Sequence, residues 1–147
     1  MAFLQGFFRP KHPEKYKGDV NNIVYRSSYE LKAMMFFDHT PEILEWSSEE
    51  MYIGYVSALD GEFHKYFPDF IIKKRNRQGK IITVMIEVKP KHQTKPPVKK
   101  DKVTRGYIRE VEEWGRNISK WEYAKKYCEK KGWEFLILTE DHLGIKG

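Results

Sequence analysis

The order of sequence patterns predicts an α/β fold in which a mixed β-sheet is flanked by helices. One amphipathic helical pattern is followed by several short, apolar and β-branched stretches, then by a long helical pattern and a last apolar stretch. The chain has 147 residues, which is enough to bury one hydrophobic core. We therefore expect a single domain over residues 1–147, with a basic N-terminal arm at about residues 1–20.

Composition narrows the class of protein. Lys and Arg number 27 against 21 Asp and Glu, and the resulting net charge of +6 favours a polyanionic partner. Aromatic residues make up 15% of the chain, which argues against a disordered basic tail. A single cysteine, Cys128, excludes an intramolecular disulfide and a four-cysteine zinc site. Because every apolar run is short, we expect no membrane span and a soluble, intracellular protein.

The first half of the chain contains one helix signal and two turn signals. Ser27 followed by Glu30 fits a capping box, so a helix begins there and ends in the segment 38–41, which contains Pro41. Asp60-Gly61 is a strong hairpin signal, and Asn76–Lys80 is a second turn. Strands are expected in the apolar stretches 43–46, 51–56 and 66–72.

The second half predicts strand, loop, helix and strand. Ile81–Val88 is β-branched without clean alternation, as in a strand buried on both faces. Lys89–Lys102 holds three prolines and six lysines, which indicates an exposed, mobile loop. A helix is expected from about Val103 to Lys131, ended by Gly132 and followed by a strand over 133–139. Its apolar stripe is predicted to comprise Val111, Trp114, Ile118, Trp121 and Cys128.

Three acidic residues lie where chemistry is possible. Asp69 interrupts an apolar stretch, and a buried carboxylate is unfavourable unless it is paired or binds a cation. Glu87 and Lys89 are two residues apart on a predicted strand, so their side chains leave the same face. If the two strands are adjacent and antiparallel, Asp69 and Glu87 lie side by side, as Mg²⁺ or Mn²⁺ requires. The third acidic residue is Glu30, on the first helix.

Each of these residues also has a purely structural interpretation. Asp69 could pair with Lys65 or Lys73 at the sheet edge. Glu87 and Lys89 could form an ordinary surface ion pair, and Glu30 could serve only the capping box. The conjunction of Pro68-Asp69 with a hydrophobic strand that ends in Glu-x-Lys favours the chemical interpretation.

At these residues the chain resembles a known family. Pro68-Asp69 followed by Glu87-Val88-Lys89 is similar to the PD-(D/E)XK nuclease signature, and Glu30 matches an additional acidic residue on the preceding helix. Over nearly the whole chain the sequence resembles the head-completion nucleases of T4-like tailed phages, and more distantly the TnsA-type transposon endonucleases. The segments that carry the resemblance are Phe8–Tyr16, Tyr25–Leu31, Leu44–Glu50, Tyr66–Phe70 and Lys120-Trp121 leading to Gly132-Trp133.

The resemblance implies a restriction-endonuclease-like core and Mg²⁺-dependent cleavage of DNA, with Mn²⁺ able to substitute and with 5′-phosphate and 3′-hydroxyl products. It also implies a role late in head assembly, before the tail joins, in the host cytoplasm or on the virion head, with phage head, portal or neck proteins as partners. The expected catalytic set is Glu30, Asp69, Glu87 and Lys89. Asp69 and Glu87 would hold the metal with help from Glu30, and Lys89 would orient water and phosphate.

DNA is expected to be held mainly through its phosphates, because nothing in the sequence resembles a sequence-reading helix. The candidate contacts are Arg9, Lys11, Arg26, Lys99, Lys100 and Lys120, although each could be an ordinary solvated cation. Two other functions stay open at this point. One is a non-catalytic connector at the head–tail junction, and the other is a junction-resolvase or transposase-type endonuclease.

Overall fold

The computed structural model describes residues 3–144, which form strands and helices in the predicted order. In addition, 3₁₀ turns form at Pro13–Lys15 and Lys91–Thr94. The elements are β1 (Phe3–Phe7), β2 (Val24–Ser27), α1 (Ser28–His39), β3 (Ile43–Ser48), β4 (Ile53–Val56), β5 (Phe63–Tyr66), β6 (Phe70–Arg75), β7 (Ile81–Val88), α2 (Arg105–Lys131), β8 (Glu134–Leu138) and α3 (Glu140–Leu143).

Helix α1 begins and ends where its capping residues predict. The hydroxyl of Ser27 accepts a hydrogen bond from the backbone N–H of Glu30 at 3.1 Å, which satisfies one of the free N–H groups of the first turn. At the other end, Thr40 adopts an extended conformation and Pro41 follows it. The helix therefore spans twelve residues and carries Glu30 in its first turn.

The main sheet is mixed and has the order β3-β6-β7-β8. Strands β3, β6 and β7 are antiparallel neighbours, whereas β8 returns through α2 to lie parallel to β7. Two short antiparallel pairs, β1-β2 and β4-β5, accompany this sheet. The β4-β5 hairpin turns at Asp60-Gly61 and β6 turns into β7 over 76–80, as the sequence predicts.

Strand β7 is buried on both faces over its second half, as its composition predicts. Val84, Ile86 and Val88 pack in the core that includes α1, whereas Met85 packs on the opposite side with residues of α2 and the β4-β5 hairpin. Because side chains alternate along a strand, Glu87 points to the α2 side with Met85. The predicted α/β architecture, with a mixed sheet between helices, is confirmed.

Helix α2 differs in part from the expected stripe. Its buried positions are Asn117, Ser119, Trp121, Ala124 and Cys128, all from the middle of the helix onward. Val111 is 44% exposed, so the stripe does not continue to the N-terminal half. The helix ends as predicted, because Gly132 takes the left-handed conformation with φ 72° and its N–H closes the last turn. No helix within residues 3–144 is long and apolar enough to cross a membrane.

The basic N-terminal segment, which we expected as an arm, packs against the domain over its described residues. The backbone N–H groups of Lys11 and His12 donate to the carboxylate of Asp38 at 2.9 and 3.0 Å. Tyr16 is buried in the core. The ammonium of Lys15 donates to the carbonyl oxygens of residues 37, 38 and 40, at 2.6, 3.1 and 2.9 Å. This segment therefore caps the C-terminal end of α1.

Replacing Lys15 with Met should destabilise the domain, because the terminal carbonyl groups of α1 lose a charged donor while the aliphatic packing is kept. We expect a loss of about 1–3 kcal/mol in the free energy of unfolding. Lys17→Met is the matched control, because Lys17 is exposed and makes only a 3.7 Å pair with Glu45. Urea unfolding of the three proteins checks this, and equal effects of both substitutions would refute the capping role of Lys15.

Candidate active site

Asp69 and Glu87 are brought together by two neighbouring antiparallel strands. Phe70 pairs with Ile86, so the residue before Phe70 lies beside the residue after Ile86. The Oδ2 atom of Asp69 accepts a hydrogen bond from the N–H of Val88 at 2.7 Å, which fixes this carboxylate against β7. Burial, followed by the negative charge of Glu87, raises the pKa of Asp69 well above its ordinary value. The expected juxtaposition is therefore present.

Glu87 is held from the opposite side by helix α2. Its side chain is 4% exposed, and the indole Nε1–H of Trp121 donates to its Oε2 atom at 3.3 Å. Trp121 is itself buried and packs edge to face against Trp114, with ring centroids 6.1 Å apart. The orientation of Glu87 thus depends on α2 as well as on its own strand.

Glu30 lies near the pair of Asp69 and Glu87, and also near a fourth acidic residue, Glu49. Burial raises the pKa of Glu30, and the charges of Glu49 and Glu87 raise it further, while Arg26 acts in the opposite direction. Glu49 follows strand β3 with φ 53°, and its N–H donates to the carbonyl of Asp69 at 3.2 Å. The site is consequently a cluster of acidic residues whose carboxylates repel one another.

Lys89 follows β7 directly and is half-buried. Its backbone N–H donates to the carbonyl of Leu138 at 2.9 Å, which anchors it to strand β8. Within residues 3–144 its ammonium forms no ion pair with a carboxylate, so the alternative of a Glu87–Lys89 surface pair is not formed. Lys73, the proposed structural partner of Asp69, pairs instead with Glu45 at 3.7 Å.

Tyr66 lies near the carboxylates, and Lys120 lies against Tyr66. Burial, with the charges of Glu87 and Asp69, raises the pKa of the Tyr66 phenol. The Tyr66 hydroxyl is buried and has no geometrically acceptable hydrogen-bond partner within the described residues. The ammonium of Lys120 lies over the Tyr66 ring, 5.8 Å from its centroid. Lys120 directly precedes Trp121, whose indole binds Glu87, so this predicted DNA contact lies on the helix that reaches the carboxylate pair.

The other predicted DNA contacts are spread over the surface. Arg26 donates from one nitrogen to both carboxylate oxygens of Glu49 at 2.9 Å, so it is already paired. Arg9 is exposed, and the backbone of Lys11 docks at the far end of α1, about 12 Å along the helix from Glu30 at 1.5 Å per residue. Lys99 and Lys100 are exposed in the loop before α2, where Lys100 pairs with Glu110 at 3.7 Å.

A cavity of about 440 Å³ lies between this loop and helix α2. Its lining includes the cationic residues Lys95 and Arg109 and the buried Asn117, one helical turn before Trp121. The Oδ1 atom of Asn117 has no hydrogen-bond partner among the described residues. The cavity therefore lies one helical turn from Trp121, the residue that binds Glu87.

The arrangement fits a divalent cation with few protein ligands. Within residues 3–144 no group of three or more His, Cys, Asp or Glu side chains surrounds a common position. Asp69 and Glu87 nevertheless offer two adjacent carboxylates whose mutual repulsion a cation would relieve. Mg²⁺ is commonly bound by one or two carboxylates and otherwise by water, so this donor set suits it. Glu30 is close enough to influence the pair without joining it in a three-ligand cluster.

Sequence reasoning did not assign three residues of the site. Trp121 was expected only as part of an apolar stripe. Tyr66 stands in the motif around Pro68-Asp69, and its proximity to that motif was the available signal. Glu49 lies in the segment Leu44–Glu50 that carries the resemblance, but its approach to Glu30 depends on how β3 meets α1.

Comparison with known proteins shows which family the chain is similar to. Residues 40–140 match the family described as "TnsA-like endonuclease N terminal", a range that includes Asp69, Glu87 and Lys89. The whole chain is 38% identical, over 154 aligned positions, to the head completion nuclease of Enterobacteria phage T4, and the alignment covers 100% of this chain and 99% of that protein.

Similarity of this extent, along the entire length of both proteins, is enough to establish a common family. The mixed sheet flanked by helices also fits the restriction-endonuclease-like fold expected of a TnsA-like domain. The chain therefore belongs to the family of the phage head completion nucleases, with a TnsA-like endonuclease domain at its core.

Proposed function

We propose that this protein is a Mg²⁺-dependent DNA nuclease that acts during phage head completion, before the head and tail join. The observation that carries this proposal is the pair of adjacent carboxylates, Asp69 and Glu87, at the end of two antiparallel strands. Membership of a nuclease family supports DNA as the substrate. The proposed place of action is the infected host cell, in association with phage head, portal or neck proteins.

Asp69 and Glu87 would hold the cation, with the backbone carbonyl of Val88 as a third protein ligand. When bound, such a cation lowers the pKa of a coordinated water and offsets the charge of the phosphate. Mn²⁺ should substitute for Mg²⁺ because both prefer oxygen donors. Glu30, which burial and its neighbours bias toward the protonated form, would position the water by hydrogen bonding.

Lys89 would contact the scissile phosphate and the attacking water. Because its ammonium forms no ion pair with a carboxylate of residues 3–144, it is available to stabilise negative charge that develops in the transition state. The water oxygen bonds to phosphorus and the bond from phosphorus to the 3′ oxygen breaks. The 3′ oxygen takes up a proton, which leaves a 5′-phosphate and a 3′-hydroxyl.

Phosphate contacts would guide the DNA to this point. The ammonium of Lys120 lies over the ring of Tyr66, and the exposed Lys99 and Lys100 lie in the loop before α2. Arg26 would contact DNA after exchanging Glu49 for a phosphate, since its guanidinium is paired in the free protein. Arg9 and Lys11 would contribute at the periphery.

The direct test is incubation of the protein with linear, circular and branched DNA in Mg²⁺, with a chelator as control. Asp69→Asn and Glu87→Gln keep side-chain size and remove one charge each, so both should abolish cleavage of every substrate that the wild type cuts. Retention of the wild-type rate in either variant would refute the assignment. Cleavage confined to branched DNA would favour a resolvase activity instead.

The stability of the Asp69→Asn protein should show that its loss of DNA cleavage is not due to misfolding. Since the pKa of Asp69 is raised in the folded state, wild-type stability falls as pH rises from the ordinary aspartate range through that raised value. Asparagine removes this penalty and can still accept the N–H of Val88. In metal-free buffer we expect a higher Tm than wild type at pH 7, and a difference that shrinks as pH falls. A lower Tm of Asp69→Asn than of wild type at pH 7 would contradict the repulsion between Asp69 and Glu87.

Lys89→Ala should reduce the single-turnover cleavage rate by on the order of a hundredfold or more, because a transition-state contact is lost. Mn²⁺ binding should survive, since lysine is not a ligand. Lys91→Ala is the matched control: Lys91 lies two residues further and forms an ion pair with Asp141 at 3.0 Å. Lys89→Arg should restore part of the rate through its charge. If Lys89→Ala cleaves like Lys91→Ala, Lys89 has no role in the reaction.

Trp121→Phe should weaken binding of Mn²⁺ by about 10- to 100-fold, which is typical when a partner that orients a metal ligand is removed. The substitution deletes the Nε1–H that reaches Glu87 and keeps an aromatic ring in the core. Trp114→Phe is the control, because Trp114 packs against Trp121 without a hydrogen bond to Glu87 in this structure. Calorimetric titration with Mn²⁺ measures the affinity of both variants. Equal Mn²⁺ affinities of Trp121→Phe and Trp114→Phe would exclude a role of Trp121 in positioning Glu87.

A further inference from the structure

The β4-β5 hairpin has one buried face and one exposed face. Strand pairing sets Ile53 opposite Tyr66, Gly54 opposite Lys65 and Val56 opposite Phe63. Ile53, Tyr55 and Tyr66 point inward and are at most 6% exposed. The opposite side, which we call the outer hairpin face, consists of Tyr52, Val56, Phe63, Lys65 and Phe67, and its four apolar members are 47–66% exposed.

The aromatic rings of this face are laid along the hairpin. The ring of Phe63 lies over Gly54, at 2.6 Å from the position that a Cβ atom would take, so only glycine allows this contact. Tyr52 and Phe67 extend the face with ring centroids 5.7 Å apart and an interplanar angle of 48°. The ammonium of Lys65 lies 4.8 Å from the centroid of the Tyr52 ring. The result is a solvent-exposed aromatic surface with a cation beside it.

This surface adjoins the candidate active site through the chain itself. Phe67 precedes Asp69 by two residues, and Pro68 between them is less than 2% exposed. Pro68 restricts the backbone between the exposed ring and the carboxylate. Phe67, whose ring packs with that of Tyr52, therefore lies within two residues of the carboxylate that we propose as a metal ligand.

The fold itself does not explain so much exposed aromatic area. An apolar patch of this kind on a protein surface usually marks a binding site. Aromatic rings next to a lysine are the combination that binds single-stranded nucleic acid, because bases stack on the rings while the cation contacts the backbone. The net charge of +6 also favours a polyanion over an apolar protein surface.

We propose that the outer hairpin face is a stacking platform for unpaired bases adjacent to the bond that is cleaved. This inference rests on the proposed function, since it assigns the platform to the substrate of that site. It makes the preferred substrate a DNA end or junction with single-stranded nucleotides beside the scissile phosphate. Phe67 and Tyr52 stack the nearest base, and Phe63 stacks a base further along the strand.

The test is DNA binding in the presence of a chelator, where no cleavage occurs. Fluorescence anisotropy compares a blunt duplex with the same duplex carrying a short single-stranded extension. The double variant Tyr52→Leu/Phe67→Leu should bind the extended duplex on the order of tenfold or more weakly, the loss expected when base stacking is removed. Its affinity for the blunt duplex should be unchanged. The dependence on salt should also be unchanged, because stacking releases no counterions.

Phe36→Leu is the matched control, since Phe36 is 53% exposed on helix α1, away from the hairpin. It should bind both DNAs like wild type, and the Tm of every variant reports folding. A 2-aminopurine placed in the extension gives a second measurement. Its fluorescence should change on binding to wild type and to Phe36→Leu, and should stay unchanged with the double variant.

Equal binding of the extended duplex by the double variant and the wild type would overturn the proposal, as would equal losses for both DNAs. Unchanged DNA binding with an altered sedimentation coefficient would overturn it in favour of an interface between copies of this chain. The outcome is independent of catalysis. If Glu87→Gln cleaves like wild type while the double variant no longer binds the extended duplex, the stacking platform is supported and the assignment of the nuclease site is refuted.

Discussion

The unfavourable proximity of two carboxylates, Asp69 and Glu87, is the constraint around which this domain is organised. Both lie in partly or fully buried surroundings, where repulsion is weakly screened, and neither forms an ion pair with a cation of the described residues. Isolated strands would relieve this repulsion by moving apart. Here they are fixed by backbone pairing and by the hydrogen bond from Val88 to Asp69.

Strand β7, which carries Glu87, packs against helices on both of its faces. One face of β7 packs in the α1 core through Val84, Ile86 and Val88, and the other packs toward α2 through Met85. Glu87 follows Met85 on the α2 side, where Trp121 donates its indole N–H. The energy of apolar burial on both faces therefore holds the acidic pair in place, so that a divalent cation finds its ligands already arranged.

The surroundings of the pair combine acidic, cationic and aromatic surfaces in a compact region. Lys89 and Lys120 approach from the end of β7 and from α2, whereas the outer hairpin face reaches Asp69 through Phe67 and Pro68. Such a combination suits a substrate that is anionic along its backbone and aromatic at its bases. The residues proposed for chemistry and the surface proposed for bases are thus adjacent in the chain.

The sequence by itself determined the features that depend on neighbouring residues. Ser27 and the Thr40-Pro41 step bound α1, Asp60-Gly61 specifies the hairpin, and the β-branched run 81–88 forms the central strand. The side-by-side carboxylates were also predictable, because a short turn joins their strands. In each case the physical cause lies within a few residues or within one strand pair.

Only the tertiary structure decided which distant groups meet. Trp121 bonds to Glu87 across 34 residues, and Arg26 pairs with Glu49 across 23, which leaves it engaged where the sequence suggested a free DNA contact. The N-terminal segment, whose basic character predicted an arm, docks on α1 through Lys15. Local sequence patterns predict which faces of an element are apolar and where each element ends. They do not predict which elements pack together, and that packing determines the partner of each charged side chain.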